Sequence, residues 1–250
     1  MSKAESTEKV LEGASLVKAA AAYVKDRFLK GLAPKYLFHN YAYAEEISEI
    51  AGKLAKASGL SEADQTQLMV AGYFFPLGYV GGHQEFAGRS AAMLEDWARN
   101  EKVELVTKAG NAAQWIKGVL TATSEDELPV RLLHDAIWSW LGRKRYERRA
   151  DLLQLEREAI KGKTGDPISF GEEMQELLLN FQYLTRVGKE CFDSRRRKNV
   201  SLQQTANYKV EEKEVKAKTG KNFGRGIDTM YRTAFRNHIN LSRIADGKAN

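Results

Sequence analysis

Five residues carry most of the chemistry this sequence could offer: His39, His83, Glu85, His134 and Asp135. Imidazole and carboxylate groups converging from several helices can hold a divalent cation, because each turns a lone pair toward the ion. Water on such an ion attacks phosphate esters. His83 and Glu85 could make a rudimentary cation site with Asp135, although the other groups that complete a shell are missing. His134 cannot join through its neighbour, since successive helical residues point about 100° apart. His39 reads as a structural histidine at a helix start. A different chemistry is open to Tyr41, Tyr43, Phe74 and Phe75, which either line an aromatic pocket for a base or other flat ligand or simply fill a core. The serines and Cys191 have no base at motif spacing, so nucleophilic catalysis has no support. No glycine-rich phosphate loop is present.

These residues need helices to hold them. Only four prolines interrupt 250 residues, and Ala, Leu, Glu, Lys and Arg dominate, which favours helix throughout. Apolar residues from Val10 to Phe28 recur at helical spacing over 5–30, and Gly31 and Pro34 stop that helix. A second helix is expected over 41–58. A third is capped by Ser61, with Glu62 and Asp64 in its first turn, and ends at Pro76. Gly78, Gly81 and Gly82 then predict a loop. Further helices are expected over 85–99, 103–121, 129–141, 145–160, 168–183, about 186–216 and 224–246. No strand pattern competes, so the fold class is all-α, a helical bundle followed by long C-terminal helices.

Composition narrows the class. Hydrophobic residues make up 43% and charged residues 29%, values of an ordinary globular chain that exclude wholesale disorder. A single cysteine cannot form an internal disulfide, which suits a reducing cytoplasm. No signal peptide is evident, and no apolar run approaches the roughly 18 to 20 residues that cross a bilayer. The net charge of +6 concentrates in Arg143, Lys144, Arg145, Arg148 and Arg149 and in Arg195–Lys198. Such clusters meet phosphates of a nucleotide, a nucleic acid or anionic lipid, or else form a solvated helix surface. Without a nucleic-acid-binding module beside them, no nucleic-acid partner is expected.

Four stretches occur in an informative order: YLFHNYAYAEE (36–46), FFPLGY (74–79), HQE (83–85) and HDAIWSWLG (134–142). Together with ERRADLLQLE (147–156) and FQYLT and KN within 181–199, they resemble the HD-superfamily phosphohydrolases over nearly all of the first 200 residues. In that family the corresponding words are YHN-x-x-HT, FHDIGY, HE and DADLxxLG. The resemblance places the family's metal ligands at Tyr43, Phe75, Pro76 and Ile137. Phe, Pro and Ile have no donor atom, and a neutral phenol is a poor ligand. The flanking His39-Asn40, Gly78-Tyr79, Asp135-Ala136 and Leu141-Gly142 keep the pattern in register. The resemblance therefore implies a degenerate HD domain over 1–200 with no cofactor and no catalytic residue, whose former pocket is marked by Tyr43, Phe75, His83, Glu85 and Asp135.

The segment GRGIDTMYRTAFRNHINLSRIADGKAN (224–250) is similar to the stretch that opens the membrane-spanning effector domain of Pycsar-type antiphage systems. Arg225, Gly226, Thr229, Arg232, Thr233, Arg236, Asn237, His238, Leu241, Ser242, Ala245, Asp246, Lys248, Ala249 and Asn250 carry the likeness, with Asp228 where Glu is usual. In that family membrane helices follow directly. The resemblance implies that 201–250 are a helical connector and the start of such a domain, and that the remainder would lie in the bacterial inner membrane beyond Asn250.

The two resemblances combine into an expected function: a catalytically inactive sensing module of a membrane-associated antiphage effector, facing the cytoplasm and responding to a nucleotide, cyclic nucleotides included. The alternatives are a phosphohydrolase rebuilt around His83, Glu85 and Asp135, and an oligomerisation scaffold that binds no ligand. Ile227, Met230, Tyr231, Ala234, His238, Leu241 and Ala245 recur at spacings of three and four and form one apolar stripe. A symmetric dimer is the simplest assembly that buries it. Light scattering should then give twice the chain mass for 1–250 and a monomer for a chain ended near Gly220. A monomeric 1–250, or an equally dimeric short form, overturns this.

Overall fold

The computed structural model describes residues 13–101 and 106–219, and within them the chain is helical with no strand. Helix α1 (Gly13–Gly31) buries Leu16, Ala20, Val24 and Phe28, one residue per turn, against α3 (Glu62–Phe74). Helix α2 (Tyr41–Ala57) lies between α3 and α6 (Leu128–Ile137). Its start is fixed by Asn40, whose side-chain oxygen accepts the Tyr43 backbone N–H at 3.2 Å. Ser61 caps α3 as the sequence predicts, accepting the Asp64 N–H at 3.1 Å.

Pro76 ends the α-helical hydrogen bonding but not the helical path. The chain tightens into a 3-10 segment, Phe75–Gly81, with Pro76 in its first turn, where a missing N–H costs nothing. This replaces the loop expected from Gly78, Gly81 and Gly82. Gly78 serves close packing: a Cβ there would stand 2.0 Å from the Phe86 carbonyl oxygen. Ser90 ties the two segments together, donating to the Phe75 carbonyl at 2.7 Å and accepting the Gly78 N–H at 2.8 Å.

Helices α4 (Phe86–Asn100) and α5 (Val106–Gly118) pair with each other, and α7 (Tyr146–Lys161) follows α6 after a short 3-10 turn, Trp138–Gly142. Helix α8 (Pro167–Asn180) stops three residues short of the expected 183. The stop is tertiary. Asp135, with no exposed surface, accepts the Leu184 N–H at 2.8 Å, the Thr185 N–H at 2.9 Å and the Thr185 hydroxyl at 2.6 Å, which holds the segment out of helix. The chain re-enters helix through α9 (Arg186–Gly188), a π-turn over Lys189–Asp193 and α10 (Ser194–Thr219). The boundary expected at residue 200 falls inside α10.

Helix α10 docks on α8 through a seam of amides. Tyr146 donates to Gln203 at 2.7 Å, Gln203 to Asn207 at 2.7 Å, and Asn207 to Gln175 at 3.0 Å. Among the described residues no helix is long and apolar enough to cross a membrane. The expected 224–246 helix lies outside the described residues.

Gly78→Ala should lower stability by about 1–3 kcal/mol, because the added methyl meets backbone that cannot yield. Gly88→Ala, inside α4 with nothing within 4 Å of the new Cβ, should instead raise it slightly. Urea unfolding followed by circular dichroism reads both.

Candidate functional site

Of the residues that the sequence groups into one former pocket, Tyr43, Phe75 and Asp135 are buried in the core, whereas His83 and Glu85 are exposed. Tyr43 is 3% exposed, and its hydroxyl donates to the Ile137 carbonyl oxygen at 3.0 Å. Two of the positions matched to family ligands thus satisfy each other. Burial pushes the Tyr43 phenol far above its usual value, so it stays neutral. Phe75 is 2% exposed and meets Phe86 edge-on at 5.4 Å, and Pro76 is buried beside it. Phe74 belongs to another part of the core, with Trp97 at 5.3 Å and Tyr23 at 5.7 Å, while Tyr41 stacks on Tyr73 at 6.3 Å. These four aromatics do not line a common opening.

Nor does the structure bring His83, Glu85 and Asp135 together. His83 and Glu85 are exposed on the connection before α4, where Glu85 takes a left-handed backbone with φ 50°. Asp135 is buried on α6 with its oxygens taken by Leu184 and Thr185, and His134 approaches it at 3.2 Å. Among the described residues no three His, Cys, Asp or Glu side chains gather in a metal-binding group.

His39 is positioned by a residue the sequence did not single out. Glu156, on α7 and 2% exposed, accepts the Phe38 N–H at 2.8 Å and the His39 N–H at 3.0 Å, and its other oxygen pairs with His39 Nδ1 at 2.5 Å. The His39 ring stacks on Tyr79 with centroids 3.9 Å apart. Burial works against an ionised Glu156, yet the His39 hydrogen bond, that ring's charge and the two backbone N–H groups outweigh it and hold the carboxyl below its usual range.

The basic cluster forms a groove. Arg143, Lys144, Arg145 and Arg148, exposed at the start of α7, line an opening of about 850 Å³ with Arg149, Arg195, Glu45, Glu46 and Glu49. Trp140 and Leu152 complete part of its wall. Arg149 is 15% exposed in its side chain, and burial lowers its tendency to hold charge. Its guanidinium lies 5.4 Å from the rings of both Phe38 and Tyr43 and pairs with Glu46. Arg143 meets the other Glu46 oxygen at 2.5 Å. Among the described residues Lys144, Arg145, Arg148 and Arg195 have no carboxylate partner. Arg195 Nε is buried with no hydrogen-bond partner. The charge run was visible in the sequence; the convergence of Arg195 from α10 and of Glu46 from α2 had no local signal.

Compared with known protein families, curated proteins and solved structures, the chain matches none.

Glu156→Gln should cost about 1–3 kcal/mol at neutral pH, since buried N–H groups would face an amide in place of a carboxylate. A carboxyl held below its unfolded value stabilises the fold above about pH 4.3, and the contribution is lost as pH falls through the lowered folded value. The gap between wild type and Glu156→Gln should therefore close in acid. Chemical unfolding between neutrality and about pH 3 checks this; a constant gap would contradict it.

Proposed function

We propose that this chain is a non-catalytic ligand-binding module that senses a nucleotide and passes the response through its C-terminal helices to a membrane-acting partner segment. The observation that carries the reading is the basic groove, in which four cations without carboxylate partners surround an Arg143–Glu46–Arg149 bridge. Its volume of about 850 Å³ suits a small molecule rather than a single ion. Arginines favour phosphate because the guanidinium fork matches two of its oxygens.

The lack of catalysis is supported by how the resembling positions are used. Tyr43, Phe75, Pro76 and Ile137 serve packing or hydrogen bonding within the core. Asp135, which a rebuilt phosphohydrolase would need, is committed to the backbone ahead of α9. A receptor that has given up turnover keeps its ligand intact and so can hold one arrangement of its helices while the signal lasts. The membrane role rests on the likeness of 224–250 to the Pycsar-type segment, and the cytoplasmic placement and dimeric state belong to the same reading.

Calorimetric titration with nucleoside mono-, di- and triphosphates and cyclic mononucleotides should find one class that binds. Arg145→Glu with Arg148→Glu should weaken it about tenfold or more, roughly 1.4 kcal/mol, without changing the helical circular dichroism signal. The bound nucleotide should be recovered unchanged after incubation with Mg²⁺ or Mn²⁺. Turnover that disappears in His83→Ala or Glu85→Ala would support the phosphohydrolase instead.

A further inference from the structure

We infer that the ligand of the basic groove carries two or more linked phosphate groups, and that Glu46 is a built-in occupant which one of those groups displaces. The inference rests on the nucleotide-sensing reading and narrows it to linear di- and triphosphates. Two anion positions lie in the groove, and they differ in kind. At the first, Glu46 already sits between Arg143 and Arg149, giving one oxygen to each. A carboxylate spanning two guanidinium groups holds the place that a phosphate takes when it bridges the same forks. Its side chain is 22% exposed and that of Arg143 43% exposed, so solvent reaches the bridge and the carboxylate can leave without opening the core.

The second position has no internal occupant. Lys144, Arg145, Arg148 and Arg195 face the groove without a carboxylate partner among the described residues. Arg195, half-buried at the head of α10, lines the groove with the other three. A terminal phosphate would meet four cationic side chains there.

A cyclic mononucleotide brings one singly charged phosphodiester, enough for one position only. A linear di- or triphosphate brings a charged group to each. Glu46 then acts as a selectivity element, because only a ligand that gains at the second position offsets the loss of the internal bridge. Arg195 stands two residues beyond the π-turn at the head of α10, so the same contact joins the ligand to that helix.

The experiment titrates orthophosphate, pyrophosphate and triphosphate into the full chain without Mg²⁺ at low salt, by calorimetry and thermal unfolding. Affinity should rise about tenfold with each added phosphate. Glu46→Gln should tighten triphosphate binding about threefold or more, and Arg195→Met should weaken it about tenfold, while Lys163→Gln, exposed and away from the groove, changes nothing. If Glu46→Gln does not fold, Glu46→Asp, drawn back from Arg143 by one methylene, must show the same tightening. Equal affinity for the three anions, or unchanged or weaker binding in both Glu46 variants, overturns the inference. So does a short single-stranded RNA that outcompetes triphosphate, which would make the groove a nucleic-acid surface. Binding of cyclic mononucleotides without triphosphate would sink this inference and leave nucleotide sensing intact; binding of no anion or nucleotide would sink both.

Discussion

Glu156 is the carboxylate on which the arrangement around the groove depends. It reaches from the middle of α7 to the two residues ahead of α2, taking the backbone N–H groups of Phe38 and His39 and the His39 ring. That grip sets where Asn40 can cap α2 and hence where Tyr43 enters the core. It also fixes α7 beside α2, so that Arg149 from one helix and Glu46 from the other meet. A buried ionised acid is tolerated only when its lone pairs are filled, and here three donors fill them. This clamp and the Glu46 bridge together set the separation of the basic wall from the acidic helix.

The core and the groove share a wall, and Arg149 is part of it. Its guanidinium faces Phe38 and Tyr43 on the inner side and Glu46 on the outer. Tyr43, one of the positions where the family resemblance puts a ligand, therefore does more than occupy volume. With Phe38 it gives Arg149 a flat apolar backing and leaves its charge turned toward Glu46.

Local chemistry made some of this legible in the sequence and hid the rest. The Ser61 cap, the helical phase of α1 and the charge of Arg143–Arg149 all depend on neighbours in the chain, and a reader of the sequence could place them. Pro76 was legible as the end of α-helical bonding, but a 3-10 continuation looks the same as a loop when three glycines follow. The stop of α8 and the straightening of 181–185 come from Asp135, some 50 residues away, and leave no local trace. The His39–Glu156 pair spans 117 residues, and Glu156 by itself is one more acid on a polar helix. Arg195 reads as part of a basic run, and only the fold turns it toward the groove while Arg196 bonds the Leu178 carbonyl and Asp193.

The amide seam beneath α10 has a consequence for how that helix responds to its surroundings. Tyr146, Gln203, Asn207 and Gln175 are neutral, and they hand hydrogen bonds along in one direction, so a slip of α10 by one residue would break its links to Tyr146 and Gln175. Neutral hydrogen bonds are indifferent to ionic strength and to pH across the physiological range, whereas exposed charges are screened within about 10 Å at 0.1 M salt. The head of the helix, where Arg195 meets the groove, is thus tuned by ions, and its middle is not. Salt acts on the charged head of this helix and leaves the neutral hydrogen bonds along its middle alone.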